Sequence, residues 1–177
     1  MEDLQQEEKV VLVDEQCNEL GTMPKLEAHE KGVLHKAISV LIFNDQGEML
    51  VTQRAFTKYH WAGVWSNTCC SHPRQGESFN DAAHRRLHEE LGFKTPLKES
   101  FHFIYKATDD ATGLIEHEYD TVYTGTFNDS FQFNKEEINE VRWMKVADLL
   151  ADIESNAVQY SFWFKIILKE MQQRGML

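Results

Sequence analysis

Cysteine, proline and long apolar runs are scarce in this chain, and so is positive charge. Three cysteines in 177 residues, two of them adjacent, do not make a disulfide framework. Free thiols suit a reducing cytosol, and Cys17 reads as an ordinary small side chain. Three prolines, with no repeat and no low-complexity or linker-like tract, leave residues 1–177 as a single domain, long enough to bury a core unaided. The longest apolar run, Ala37 to Phe43 broken by Ser39, is too short to cross a bilayer. The first ten residues, MEDLQQEEKV, lack the basic start and apolar centre of a signal peptide, so a soluble cytoplasmic protein is expected. Eighteen Lys and Arg against 29 Asp and Glu give a net charge of −11, which argues against nucleic acid as a partner, and with no spanning run no membrane partner is expected either. A small anion held by a few local cations stays open.

The chemistry concentrates in Ser66 to Phe93, SNTCCSHPRQGESFNDAAHRRLHEELGF. Val64 to His72 reads as a strand, whose alternation puts Cys70 and His72 on one face and Cys69 on the other. Pro73 and Gly76 break it. Ser78 followed by Asp81 is a capping signature for a helix running to Leu91, with Gly92 as its stop. At the helical period Phe79, Ala83, Leu87 and Leu91 form an apolar arc that also contains Glu90, with Arg86 one turn earlier at its edge. A carboxylate on the buried face is either the partner of Arg86 at i,i+4 or a ligand for a divalent ion, and spacing alone favours neither.

Elsewhere, Val10 to Val13 and the NELG turn read as an edge strand and hairpin. His29 and His35 are six residues apart, which by itself suggests surface or loop histidines. Ala37 to Phe43, a turn at Asn44 to Gly47, and Glu48 to Gln53 read as a second hairpin. RAFTKYHWAGVWSN, carrying Arg54 and Lys58, reads as a solvated loop stapled by aromatics. In Phe101 to Ala107, Phe101, Phe103 and Tyr105 share a face and read as core. The strand Leu114 to Phe127 puts Glu116, Glu118 and Asp120 on one face, a row that must be solvated or held by a cation. Glu140 to Met144 is a last strand, and Val146 to Ile153 a short helix with Val146, Leu149, Leu150 and Ile153 inward. A C-terminal helix over 161–174 has Phe162, Ile166 and Met171 as its stripe and Trp163 beside it.

Read backward from Gly92, the central stretch resembles the Nudix signature Gx5Ex7REUxEExGU, with Glu77, Arg85, Leu87, Glu89, Glu90, Gly92 and Phe93 in register. Ser71 stands where the pattern has Gly, and Arg86 where it has Glu. Those departures weaken a hydrolase reading. With NTCCSHP and the ExE of Glu116 and Glu118, they make the chain similar to the type I isopentenyl diphosphate isomerases, from Lys25 to Trp163. The resemblance implies an α/β fold, the Nudix α/β/α sandwich with a mixed β-sheet flanked by helices. It implies isomerisation of isopentenyl diphosphate to dimethylallyl diphosphate, a proton added at one carbon and removed at another, with Cys70 and Glu118 as the acid/base pair and Tyr105 bonded to Glu118. It implies a metal on His29, His35, His72, Glu116 and Glu118, of a kind suiting Zn²⁺, Mn²⁺ or Mg²⁺, and a Mg²⁺ bridging the diphosphate to Glu90. Lys25, Arg54, Lys58, Ser71 and Arg86 would hold the diphosphate. Trp163 would lie over the isoprenoid end, with Trp61, Trp65 and Tyr105 as further walls of a dry pocket. A monomer is favoured.

Overall fold

The computed structural model describes residues 8–177. Its centre is β3 (His35–Phe43), apolar along most of its length and buried on both faces. Such a strand needs a layer on each side. Ile38, Val40 and Ile42 point one way, where Ala82, Ala83, Leu87 and Leu91 of helix α2 (Phe79–Leu91) cover them. Leu41 points the other way, toward Phe164, Ile167, Leu168 and Met171 of helix α4 (Phe162–Gln173). Two cores thus flank one sheet, with helices on both faces.

The sheet is mixed. β3 pairs antiparallel with β1 (Lys9–Val13), β4 (Glu48–Arg54) and β6 (Cys69–Ser71), and parallel with β8 (Ile115–Thr126). β2 (Glu19–Pro24) pairs with β1. The other margins are β7 (Leu97–Thr108) on β8 and β9 (Ile138–Lys145) on β4, with β5 (Trp65–Ser66) also on β4. Helix α1 (Lys25–Lys31) links β2 to β3, and α3 (Val146–Ser155) follows β9.

Four expectations change. The single strand 64–72 is two short ones, because Asn67 and Thr68 use their side chains in place of ladder bonds. Asn67 Nδ2 donates to Cys69 O at 2.9 Å, and Thr68 Oγ1 donates to Leu50 O at 2.7 Å while accepting from Ile42 N at 2.9 Å. β1 is not an edge strand, since β2 lies outside it. The stripe of α4 is Phe164, Ile167, Leu168 and Met171, joined by a buried Trp163, whereas Phe162 is exposed. Trp65 belongs to the core, with the Arg142 guanidinium 4.3 Å over its ring.

Helix α2 forms as its sequence dictates. Ser78 Oγ accepts from Asp81 N at 3.0 Å, and Gly92 ends the helix at φ 73°. Only glycine fits there, because a Cβ would meet Gln132 O at 2.4 Å. The signature residues Glu77 and Arg85 bind each other twice, Nε to Oε1 at 2.6 Å and Nη2 to Oε2 at 2.8 Å, and Arg85 also reaches His72 O at 3.4 Å. That pair fixes the turn entering α2 and with it the backbone of His72.

Candidate active site

Strand register assembles the centre of the site. Glu118 of β8 is the ladder partner of His35 on β3 and of Tyr105 on β7, so three side chains from three strands stand in one row on one face. Tyr105 Oη donates to Glu118 Oε2 at 2.7 Å. His72, just beyond β6, approaches Glu118 Oε1 with Nε2 at 2.8 Å, and His35 Nε2 lies 3.6 Å from the same oxygen. Glu116, two residues earlier on the same face, meets His29 Nε2 of α1 at 3.0 Å. Cys70 of β6 pairs with Ser39 of β3, whose hydroxyl donates to Asp120 Oδ2 at 2.7 Å. Glu116, Glu118 and Asp120 are all buried. β8 is therefore an interior strand, and the acidic row is held by protein rather than by water.

His29, His35, His72, Glu116 and Glu118 each offer a ligand atom, and all five atoms lie within 4.8 Å of one another. The histidines are preset for a cation. His29 Nδ1 donates to Lys25 O at 2.6 Å and His35 Nδ1 to Val33 O at 2.8 Å, which aims both Nε2 atoms at the carboxylates. His35 Nε2 is buried without a hydrogen-bond partner among the described residues. A lone pair facing carboxylates in a dry site calls for a positive charge between them, and three nitrogens with two oxygens suit a divalent ion.

Charge states agree with that reading. Burial outweighs the Glu118 hydrogen bond at His72 and brings its pKa down to about 4, so the ring is neutral at physiological pH. Glu118 is held below the usual carboxylate range: burial and Glu116 oppose ionisation, but the close approach of His35 and the hydrogen bond of His72 outweigh them. Burial also opposes ionisation of Glu116, yet His29 and His60 hold it well below that range. Burial pushes the Cys70 thiol up to about 12 and the Tyr105 phenol well above its ordinary value, so both keep their protons.

One pocket is lined by Cys70, Glu118 and Tyr105 together with all six residues named for substrate contact: Lys25, Arg54, Lys58, Ser71, Arg86 and Trp163. Trp163 is set there because Ser161 at the start of α4 docks on β5, Ser161 N donating to Trp65 O at 2.8 Å. Trp61 meets the Trp163 ring edge-on at 5.7 Å between centroids, and the Arg54 guanidinium lies 5.6 Å over that ring. Neither Trp61 nor Trp65 lines the pocket, Trp61 standing behind Trp163 and Trp65 in the core, whereas Tyr59 does line it. The Arg86–Glu90 ion pair is formed, Nη2 to Oε1 at 2.6 Å, and Glu90 is buried.

The NUDIX domain family matches residues 33–164. An isopentenyl-diphosphate Delta-isomerase of Aromatoleum aromaticum is 43% identical over 162 residues, covering 92% of this chain and 85% of that protein. Another, from Photorhabdus laumondii, is 44% identical and covers 92% and 91%. The chain belongs to the Nudix isopentenyl-diphosphate Delta-isomerases. Solved Nudix structures agree on the fold alone. A MutT protein of Methanosarcina mazei superposes with a TM-score of 0.66 at 17% identity, covering 80% of this chain and 95% of that one. A MutT NUDIX hydrolase of Burkholderia pseudomallei gives 0.60 at 20%, covering 77% and 96%.

Two residues beside this isomerase site have no signal in the sequence. Glu137 forms ion pairs with Lys58 and with Arg86, the latter at 3.4 Å, and so engages two of the pocket cations. His60 meets Glu116 from a loop. The Lys58–Glu137 and His60–Glu116 partnerships span more than fifty residues and each starts from a loop, where no periodicity operates.

Proposed function

We propose that this chain interconverts isopentenyl diphosphate and dimethylallyl diphosphate, with Cys70 and Glu118 as the two groups that exchange protons with the allylic skeleton. The observation that carries the reading is the placement of both on one pocket, the thiol protonated and the carboxylate ionised, with the Tyr105 phenol bonded to Glu118. The reaction adds one proton and removes one, consuming no water. It therefore needs two such groups rather than one base and an activated water.

Each remaining part has a role in that scheme. Lys25, Arg54, Lys58, Ser71 and Arg86 take the diphosphate, the guanidinium of Arg86 standing where a Nudix hydrolase would carry a further glutamate. A Mg²⁺ accompanying the diphosphate would use Glu90, whose Oε1 is taken by Arg86. His29, His35, His72, Glu116 and Glu118 would hold Zn²⁺, Mn²⁺ or Mg²⁺. Such an ion would supply positive charge that orients Glu118 and raises the acidity of the groups around it. Trp163, buried and backed by Trp61, presents its π face to the apolar end of the substrate, where positive charge develops, and helps exclude water. The scheme assigns 1–177 to one catalytic domain acting as a cytoplasmic monomer, which sedimentation and cell fractionation would test.

The deciding experiment is proton NMR of isopentenyl diphosphate in D₂O with Mg²⁺, wild type and Cys70→Ala side by side. Deuterated dimethylallyl diphosphate from wild type alone is expected. Release of phosphate in place of the isomer would overturn the reading in favour of a hydrolase, and equal turnover by both proteins would remove Cys70 from the chemistry.

A further inference from the structure

Glu116 faces a different imidazole with each of its oxygens. His29 Nε2 lies 3.0 Å from Oε2, and His60 Nε2 lies 2.6 Å from Oε1. Both rings are buried. They differ at the far nitrogen. His29 Nδ1 is committed to Lys25 O, so once Nε2 gives up its proton the ring turns a lone pair toward a cation beside Glu116. His60 Nδ1 has no partner among the described residues, and none of them holds a proton there. A 2.6 Å contact with a carboxylate oxygen requires the proton on Nε2, which makes the neutral His60 ring an N–H donor toward Oε1.

The loop is built to present that ring. Arg54 spans it from the end of β4, Nε donating to Trp61 O at 3.0 Å and Nη2 to His60 O at 3.3 Å. Asp109 Oδ2 accepts from Trp61 N at 3.1 Å on the other side. Trp61 sits at φ 51°, a left-handed conformation that costs a non-glycine residue about 1 kcal/mol or more and persists only where the surroundings fix it. His60 nevertheless falls outside the five-residue group whose ligand atoms converge.

We propose that His60 is a positioning residue for the metal group: by donating to Glu116 Oε1 it leaves Oε2 as the only Glu116 oxygen offered to a divalent ion beside His29. The inference rests on reading that group as a metal site. In a metal site, an outer hydrogen bond fixes the direction of a ligating carboxylate and limits it to one-oxygen binding, so its loss weakens affinity and allows a second oxygen to bind. The same Arg54 braces the loop and lines the pocket, so the support of His60 is tied to the wall that faces the substrate.

The test titrates metal-free full-length protein with Mn²⁺ and with Co²⁺, comparing wild type, His60→Leu and His60→Gln after thermal unfolding has established which variants are folded. His60→Leu keeps the bulk and removes the donor; affinity should fall about 10- to 100-fold with unchanged stoichiometry. Its Co²⁺ visible absorption should weaken as Glu116 adds its second oxygen and the coordination number rises. His60→Gln, which keeps a donor, should restore both readouts toward wild type, and it carries the test if the leucine variant does not fold. Wild-type affinity and spectrum in a folded His60→Leu protein would overturn the proposal. So would the loss of one nitrogen coupling in pulsed EPR of the Mn²⁺ form, which would make His60 a ligand. Wild-type protein that binds neither ion would instead overturn the metal reading on which it rests.

Discussion

Tyr105 and Glu118 are ladder partners on β7 and β8, and the phenol donates to the carboxylate at 2.7 Å on the oxygen that His72 leaves free. Glu118 is therefore fixed at both oxygens before any substrate arrives. Tyr105→Phe removes one of those bonds while keeping the ring in the core. It should lower kcat by about 100-fold, the lower end for a positioned proton-transfer partner, with little change in KM or in metal content. Glu118→Gln, by contrast, should lose metal and activity together. Steady-state kinetics with metal analysis separates the two, and a Tyr105→Phe effect confined to KM would place the phenol in binding instead.

The Cys70 thiol is the next measurable group. Burial raises its folded pKa to about 12, whereas the unfolded chain releases that proton at about 8.5. Above the unfolded value the unfolded state binds fewer protons than the folded one, so this group subtracts stability as pH rises from about 8.5 toward the folded value. In metal-free protein, Tm should fall more steeply with pH above this threshold for wild type than for Cys70→Ala. The rate of iodoacetamide labelling at Cys70 should still be rising past pH 10, well beyond the ordinary thiol titration near 8.5. A plateau near the ordinary value would mean that the thiol is not desolvated.

Arg86 and Glu90 give a stability test independent of the chemistry. Both side chains are mostly buried and joined at 2.6 Å, and Arg86 also faces Glu89 and Glu137. Arg86→Leu would leave Glu90 without its counter-charge, and removing one partner of a buried pair costs about 3 kcal/mol. Adding Glu90→Gln should recover much of that loss, because the stranded charge is then gone. Urea unfolding of the two single variants and the double variant measures the coupling. Strict additivity would show that the pair contributes nothing.

What the sequence made legible was what local rules govern. Helix α2 carries its own cap, apolar arc and glycine stop, and it runs from Phe79 to Leu91 as expected. The alternation on β8 put Glu116, Glu118 and Asp120 on one face, and they are there. Their burial was not legible, because it depends on β3 and β7 lying to either side, and the parallel register that sets His35 beside Glu118 has no local signature. For the same reason His29 and His35 read alone as surface histidines although both are fully buried. The stripe of α4 was misplaced because so apolar a segment supports more than one phase. Packing against Leu41 and Val122 chose Phe164, Ile167, Leu168 and Met171. Glu137 and His60 act from loops, where side-chain direction follows from bracing contacts instead of a period.

The proton on His29 makes the last prediction, again for metal-free protein. Burial alone would lower its pKa, but the hydrogen bond and charge of Glu116 outweigh burial and raise it above the ordinary value. A histidine raised in the folded state stabilises fully below the unfolded pKa of about 6.5, and the contribution is lost as pH rises through the folded value. A divalent ion needs the Nε2 lone pair, so binding must expel that proton. Metal affinity should therefore climb through the neutral range, and calorimetric titrations of Mn²⁺ in buffers of different ionisation enthalpy should report net proton release. The rise in Tm on metal addition should be larger at pH 8 than at pH 6, since high pH removes the competing proton along with the stability it gave. An equal rise at both values would show that His29 is already neutral, or that the ion does not bind through it.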